Sequence, residues 1–101
     1  MDYRRYGSSS DALSIVAFAG IVVSNETSEN SDRYVSWAID QGINYFDVAP
    51  SYGSAQNMLG PALEPYRKDV FLACKTNKRD ARTAQAELEE SLRLLRTDHF
   101  D

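Results

Sequence analysis

The sequence predicts an α/β protein built on a parallel sheet, and three observations predict it. Apolar runs near Ile15–Gly20, Ile43–Val48 and Val70–Lys75 alternate with polar segments of helical spacing, in the order strand, helix, strand, helix, strand, helix. Right-handed crossovers make three such strands neighbours in one sheet, with helices covering one face. Two of the runs also carry an ionisable group at their carboxyl end, Asp47 in one and Lys75 in the other. Burying a charge is costly unless it is paired, so the two groups are expected either to meet or to do chemistry.

Composition narrows the classes. The 101 residues allow one domain, 1–101, with one modest core. At 43% hydrophobic and 26% charged the chain has the make-up of an ordinary globular protein. A net charge of −4 argues against nucleic acid or an anionic membrane surface as the main partner. The single cysteine, Cys74, excludes an internal disulfide and a multi-cysteine metal site, so no metal is expected. Inside an apolar run it reads as a small buried hydrophobe. The longest apolar run, Ile15–Val23, is about half of what spans a bilayer. With Asp11 shortly before it and no clean cleavage pattern, the chain reads as cytoplasmic.

The elements follow in order. Tyr3–Tyr6 and Ala12–Ile15 pair as a hairpin across the polar kink Gly7-Ser8-Ser9-Ser10-Asp11. Ile15–Gly20 is an uncharged, β-branched and aromatic strand whose closing Gly20 lets backbone or ligand approach closely. Ser24–Ser31 is a polar loop holding several candidate helix caps. Tyr34, Val35, Ala38 and Ile39 then mark a helix at about 30–41, with Asp32 in its first turn, Gly42 just past its end and Trp37 off its apolar stripe. Ile43–Val48 is the second strand, and Ala49-Pro50-Ser51 the turn that delivers Tyr52. A short helix spans Ala55–Leu63, where Gly60-Pro61 predicts a kink or a break. Pro65–Asp69 turns into the strand Val70–Lys75. The loop Thr76–Arg82 carries Lys78, Arg79 and Arg82, a cluster that could steer an anionic cofactor but reads first as a solvated loop. Asp80 or Thr83 caps the last helix, with Leu88, Leu92 and Leu95 as its buried stripe and Glu87, Glu89, Glu90 and Arg93 toward water. His99–Asp101 begins a further strand.

On neighbouring parallel strands Asp47 and Lys75 fall at the same sheet edge, and Tyr52 hangs over it from the loop. In parallel α/β folds this edge is where ligands bind. An ammonium beside a phenol stabilises the phenolate left when the proton departs, so a tyrosine supported by a lysine, itself held by an aspartate, is a proton donor. Taken singly, a strand-end aspartate is a cap, a loop tyrosine is packing and a strand-end lysine snorkels to water. Three together at one edge read as a site.

At these residues the chain resembles the aldo-keto reductases. The likeness lies in Asp47, Tyr52-Gly53, Met58-Leu59-Gly60 and Lys75, with Tyr3-Arg4-Arg5-Tyr6-Gly7 and Leu94-Leu95-Arg96-Thr97-Asp98 at either end. The resemblance implies the first three βα units of a TIM (β/α)8 barrel, preceded by a short amino-terminal hairpin that plugs the barrel's amino-terminal face and truncated at the start of strand 4. This is about a third of a barrel of roughly 250 residues. It also implies hydride transfer from NADPH to the carbonyl of a small molecule. Tyr52 would be the proton donor, Lys75 its activator and Asp47 the group that orients Lys75, with Gly20 and Asp47 bordering the cofactor. The sequence departs from the family at Ala17 and Ala19, where a fuller glycine cluster is common, and at Ala55 and Gln56, where a serine and a glutamate are common. The latter pair is expected to affect capping more than chemistry. The family's catalytic histidine closes the fourth strand. His99 does not replace it, because it stands where that strand begins, a strand's length (~17 Å) from the site. No Gly-rich dinucleotide fingerprint occurs. The expectation is therefore the amino-terminal part of a reductase, inactive by itself. The alternative is a standalone small α/β binding or interaction protein derived from the barrel. Open edges at Ile15–Gly20 and at Val70–Lys75 or the stub from His99 predict self-association of the isolated chain.

Overall fold

The structure is a computed structural model that describes residues 1–101. An antiparallel hairpin comes first, β1 (Tyr3–Arg5) against β2 (Ala12–Ser14), with Tyr3 opposite Ser14. Its serine-rich turn is held by local bonds: the Ser9 hydroxyl donates to Asp11 Oδ2 at 2.6 Å, and Arg5 Nε donates to Ser9 O at 3.0 Å. Three parallel strands follow, β3 (Phe18–Ala19), β4 (Tyr45–Asp47) and β5 (Phe71–Ala73), in the spatial order β3-β4-β5. Phe18 pairs with Phe46 and Phe46 with Leu72; Ala19 pairs with Asp47 and Asp47 with Ala73.

The first strand is shorter than the apolar run Ile15–Gly20 suggested. Ile15 and Val16 are 55% and 51% exposed and lie outside the sheet. The Ser14 hydroxyl donates to Val16 O at 2.6 Å and bends the chain there, while Ser14 N–H is anchored to Asn44 Oδ1 at 2.8 Å. Gly20 belongs to a 3-10 turn, Gly20–Val23, that leaves the sheet at once.

Helix α1 (Ser28–Asp40) starts earlier than its apolar spacing implied, because Thr27 caps it by accepting the Asn30 N–H at 3.1 Å. It ends as expected on Gly42 at φ 90°, with Gly42 N–H donating to Ile39 O and Ile43 N–H to Ala38 O. Val35 and Ala38 are fully buried on its inner stripe, while Trp37 is 63% exposed. Helix α2 (Ala55–Leu63) runs unbroken through Gly60-Pro61, so the chain does not split into two helices there. It stops soon after Pro61, so little of its ladder is lost. Gly60 serves packing instead, since a Cβ there would lie 2.2 Å from Leu94 O. The Pro65–Asp69 turn is a 3-10 segment, Glu64–Asp69.

Helix α3 (Ala81–Leu94) is capped by Asp80, whose Oδ1 accepts the Thr83 N–H at 3.0 Å. Its predicted leucine stripe is only partly covered: Leu95 is buried, Leu92 half-buried and Leu88 40% exposed. It meets α2 at the Gly60 crossing and through Gln56, whose Nε2 donates to Ser91 Oγ at 2.9 Å between two buried side chains. Gln56 is thus a tie between helices rather than a capping residue. Glu87, expected to face water, is engaged by the loop before α3.

Alternation along the strands sends Phe46 and Leu72 into the core with Val35, Leu59 and Leu63, where Phe18 stacks on Phe46 at 5.1 Å. Filling these positions stabilises the fold by about 1.5–3 kcal/mol per large side chain. The opposite face carries Tyr45, Asp47, Phe71 and Ala73, all half-buried. There Tyr45 and Tyr6 meet the Phe71 ring edge-on at 5.5 and 5.4 Å, so the hairpin rests against the amino end of this face.

Residues 99–101 form no strand, unlike the expectation, yet they lie along β5. Asp101 N–H donates to Leu72 O at 3.0 Å, and Leu72 N–H donates to Asp101 Oδ2 at 3.0 Å. No helix is long and apolar enough to cross a membrane.

Candidate active site

Asp47 and Lys75 come together because of strand parity. Positions 45 and 47 share one face of β4, positions 71, 73 and 75 share the same face of β5 and its extension, and the register sets Asp47 opposite Ala73. The Lys75 ammonium donates to Asp47 Oδ1, with side chains 46% and 33% exposed. This pair stands at the carboxyl edge of the sheet, on the face away from the helices.

Tyr52 reaches the pair from the β4–α2 loop. Its N–H donates to Ala49 O at 3.1 Å and its carbonyl accepts the Ala55 N–H at 2.9 Å. Gly53 follows at φ 54°, a left-handed conformation that any side chain would strain. Next to it, Ser54 Oγ donates to Ser24 O at 3.2 Å and ties the turn to the loop before α1. Lys75 Nζ lies 5.3 Å from the Tyr52 ring centroid. Partial burial works against the charge on Lys75, but the bond to Asp47 and the nearby Tyr52 outweigh it and raise its pKa. The second Asp47 oxygen has no protein partner.

Gly20 lies against the back of Asp47. A Cβ on it would meet Asp47 O at 2.4 Å and Leu59 Cδ1 at 3.0 Å, so the close approach it permits is first that of the chain to itself. Cys74 is half-buried beneath the edge. Burial pushes its thiol up, against weaker opposing bonds from Lys75, Ser91 and Gln56.

The segment after Lys75 is pinned to α3. Glu87 Oε1 accepts from Thr76 Oγ1 at 2.7 Å and from Asn77 N–H at 2.8 Å, and these two bonds, that of Thr76 the stronger, hold its carboxyl below the usual range. Sequence reading missed this anchor and the Ser54 tether. The adjacency of Ser54 to Tyr52-Gly53 was the signal available for the tether. Lys78, Arg79 and Arg82 are exposed and make no ion pair, as a solvated loop does. His99 lies beside Arg67, which donates to His99 O at 2.8 Å, at the amino-terminal end of β5 rather than at its carboxyl end. No cluster of His, Cys, Asp and Glu has the arrangement of a metal site.

Comparison with known proteins bears on the family and the fold. The profile of the aldo/keto reductase family matches residues 22–101. Aldo-keto reductase YhdN of Bacillus subtilis strain 168 is 35% identical over 99 residues, covering 84% of this chain and 30% of that protein. Among solved structures, PA4992 of Pseudomonas aeruginosa, assigned to the aldo-keto reductases, superimposes with a TM-score of 0.91 at 25% identity over 98% of this chain and 43% of its own. The holo form of aldo-keto reductase AKR11C1 from Bacillus halodurans gives 0.81 at 29% identity, over 100% and 38%. The chain thus spans less than half the length of each of these relatives.

Proposed function

The chain belongs to the aldo/keto reductase family, and from that premise we propose that it carries the proton-donating part of a nicotinamide-dependent carbonyl reductase. In this reading it supplies the first three βα units of the family's barrel, with the hairpin β1–β2 at the amino-terminal face. The observation that carries the proposal is the Asp47–Lys75 pair with Tyr52 over it, all at one sheet edge.

Each group has a separate task. Tyr52 gives its phenolic proton to the carbonyl oxygen as that oxygen becomes an alcohol. Lys75, held charged, stabilises the phenolate left behind. Asp47 fixes the ammonium in place through one oxygen. Its other oxygen, free of protein partners, is an acceptor suited to the hydroxyl or carboxamide of a nicotinamide nucleoside. These residues fit the reacting end of NADPH; Asp47 would border it, with Gly20 packed behind Asp47. When bound, the reduced nicotinamide supplies the hydride.

The test joins residues 1–101 to the remaining portion of the Bacillus halodurans relative and measures NADPH-dependent reduction of small aldehydes together with cofactor affinity by calorimetry. Reduction is expected, with Tyr52→Phe lowering kcat by ~10²-fold or more while the cofactor Kd stays within about twofold. Unchanged turnover in Tyr52→Phe would show that the proton comes from elsewhere.

A further inference from the structure

Strand pairing brings Lys75 toward Asp47, but the ladder ends short of Lys75. Its last bond is that of Val48 N–H to Ala73 O at 3.0 Å, and β5 stops at Ala73. Lys75 lies two residues further on, in a stretch outside the strand. Its carbonyl takes a 3.7 Å contact from Cys74 Sγ. Thr76, Asn77 and Lys78 are exposed, so burial does not hold the chain there either. An ammonium on a flexible four-carbon stem keeps one position only if the backbone beneath it is fixed.

Glu87 supplies what the ladder does not. With Ala84 and Ser91 it falls on the covered side of α3, where it is half-buried. A carboxylate in such a place is costly unless it is bonded. Its Oε1 accepts from the Thr76 hydroxyl at 2.7 Å and from the Asn77 N–H at 2.8 Å. The Thr76 oxygen in turn accepts the Lys78 N–H at 3.1 Å, so residues 76–78 curl about one carboxylate oxygen directly after Lys75. Helix α3 is itself docked on α2 at Gly60 and through Gln56 and Ser91. Helix α2 begins at Ala55, three residues after Tyr52. Glu87 therefore ties the position of Lys75 to the same helix pair that carries Tyr52.

We propose that Glu87 is a positioning residue of the candidate site, holding Lys75 within reach of Asp47 and Tyr52 through Thr76 and Asn77. Its effect on turnover rests on the reductase reading, whereas its effect on Lys75 rests on the contacts of the chain alone.

Two measurements test these separately. In the 101-residue chain, the Lys75 side-chain resonance is followed by NMR as pH is raised. Glu87→Ala should bring its titration down toward the ordinary lysine range, as the ammonium swings away from Asp47. Glu87→Gln should leave it near wild type, because glutamine loses the same charge yet keeps an oxygen that accepts both bonds. That contrast separates geometry from the loss of one negative charge. In the completed barrel, Glu87→Ala should lower kcat about tenfold while the cofactor Kd stays within about twofold. Glu87→Gln should recover kcat to within about twofold of wild type. In a Lys75→Met background Glu87→Ala should cost less than about twofold, since the group it positions is already gone. Glu90→Ala, whose carboxylate serves Arg93 on the helix surface, is the control and should change neither reading. An unmoved Lys75 titration in Glu87→Ala, no recovery in Glu87→Gln, or the same loss of turnover with and without Lys75 would each overturn the proposal. Full turnover in Lys75→Met would instead remove the reductase reading, and the titration by itself then decides whether Glu87 holds Lys75.

Discussion

Arg67 and Lys75 each meet an aspartate near one end of β5, and the two ion pairs are built in opposite ways. The Arg67 side chain is 13% exposed and makes four hydrogen bonds: Nε donates to Thr97 Oγ1 at 2.9 Å, Nη1 to Val70 O at 3.1 Å, and Nη2 to His99 O at 2.8 Å and Asp101 Oδ2 at 3.0 Å. The Asp101 oxygen also takes the Leu72 N–H. Lys75 is 46% exposed and is held by Asp47, with Tyr52 close by. The first pair is saturated and holds residues 97–101 against the sheet. The second leaves donors and acceptors open at the edge where a ligand can reach them. Guanidinium suits the closed arrangement and ammonium the open one, since a planar fork satisfies several fixed acceptors at once while a point charge serves one moving centre.

The largest effect expected is on the closed pair. Arg67→Met keeps most of the side-chain volume but removes four hydrogen bonds, leaving Asp101 Oδ2 with the Leu72 N–H alone and His99 O with the Thr97 hydroxyl, and should cost about 2 kcal/mol. Urea unfolding followed by circular dichroism reads this as a lowered midpoint, and an unchanged midpoint would show that the clasp is incidental.

The open pair should contribute much less. At this exposure the Asp47–Lys75 bridge is worth under about 1 kcal/mol, so Lys75→Met should unfold at nearly the wild-type urea concentration at neutral pH. The raised Lys75 pKa fixes the sign of the pH effect. Its contribution is full below the ordinary lysine value of 10.5 and fades as pH rises through the raised one. Wild type and Lys75→Met should therefore converge at alkaline pH, whereas a gap that widens there would reverse the assignment.

The smallest effect is local. Glu87 holds Thr76 and Asn77, and with its pKa lowered this contribution is present above the ordinary carboxylate value of 4.5 and lost as pH falls through the lowered one. The Asn77 amide resonance should move in that acid range in wild type and stay still in Glu87→Gln.

Most of the sheet was legible in the sequence because parity and glycine placement are local signals. Asp47 and Lys75 could be paired on paper once both runs were read as parallel strands, and Gly42 closed α1 as its position demanded. What escaped depends on contacts between elements. Nothing in Ile15–Gly20 reveals that the Ser14 hydroxyl bends the chain before it. A leucine stripe says which face of α3 is apolar but not whether anything covers Leu88. Gln56 meets Ser91 only because Gly60 lets α2 touch the backbone of α3, so that pair is invisible until both helices are placed. Glu87 looked solvated for the same reason: its partners, Thr76 and Asn77, belong to the preceding loop.

The claim that the open pair does chemistry while the closed pair holds structure is tested most directly in the completed barrel. Turnover per folded molecule is measured for Lys75→Met and Arg67→Met side by side, with thermal midpoints from the same samples. The account predicts that Lys75→Met loses at least ~10²-fold in kcat at an almost unchanged midpoint. It predicts that Arg67→Met melts several degrees lower while its kcat stays within about threefold. Equal loss of turnover in both variants, or full turnover in Lys75→Met, would contradict it.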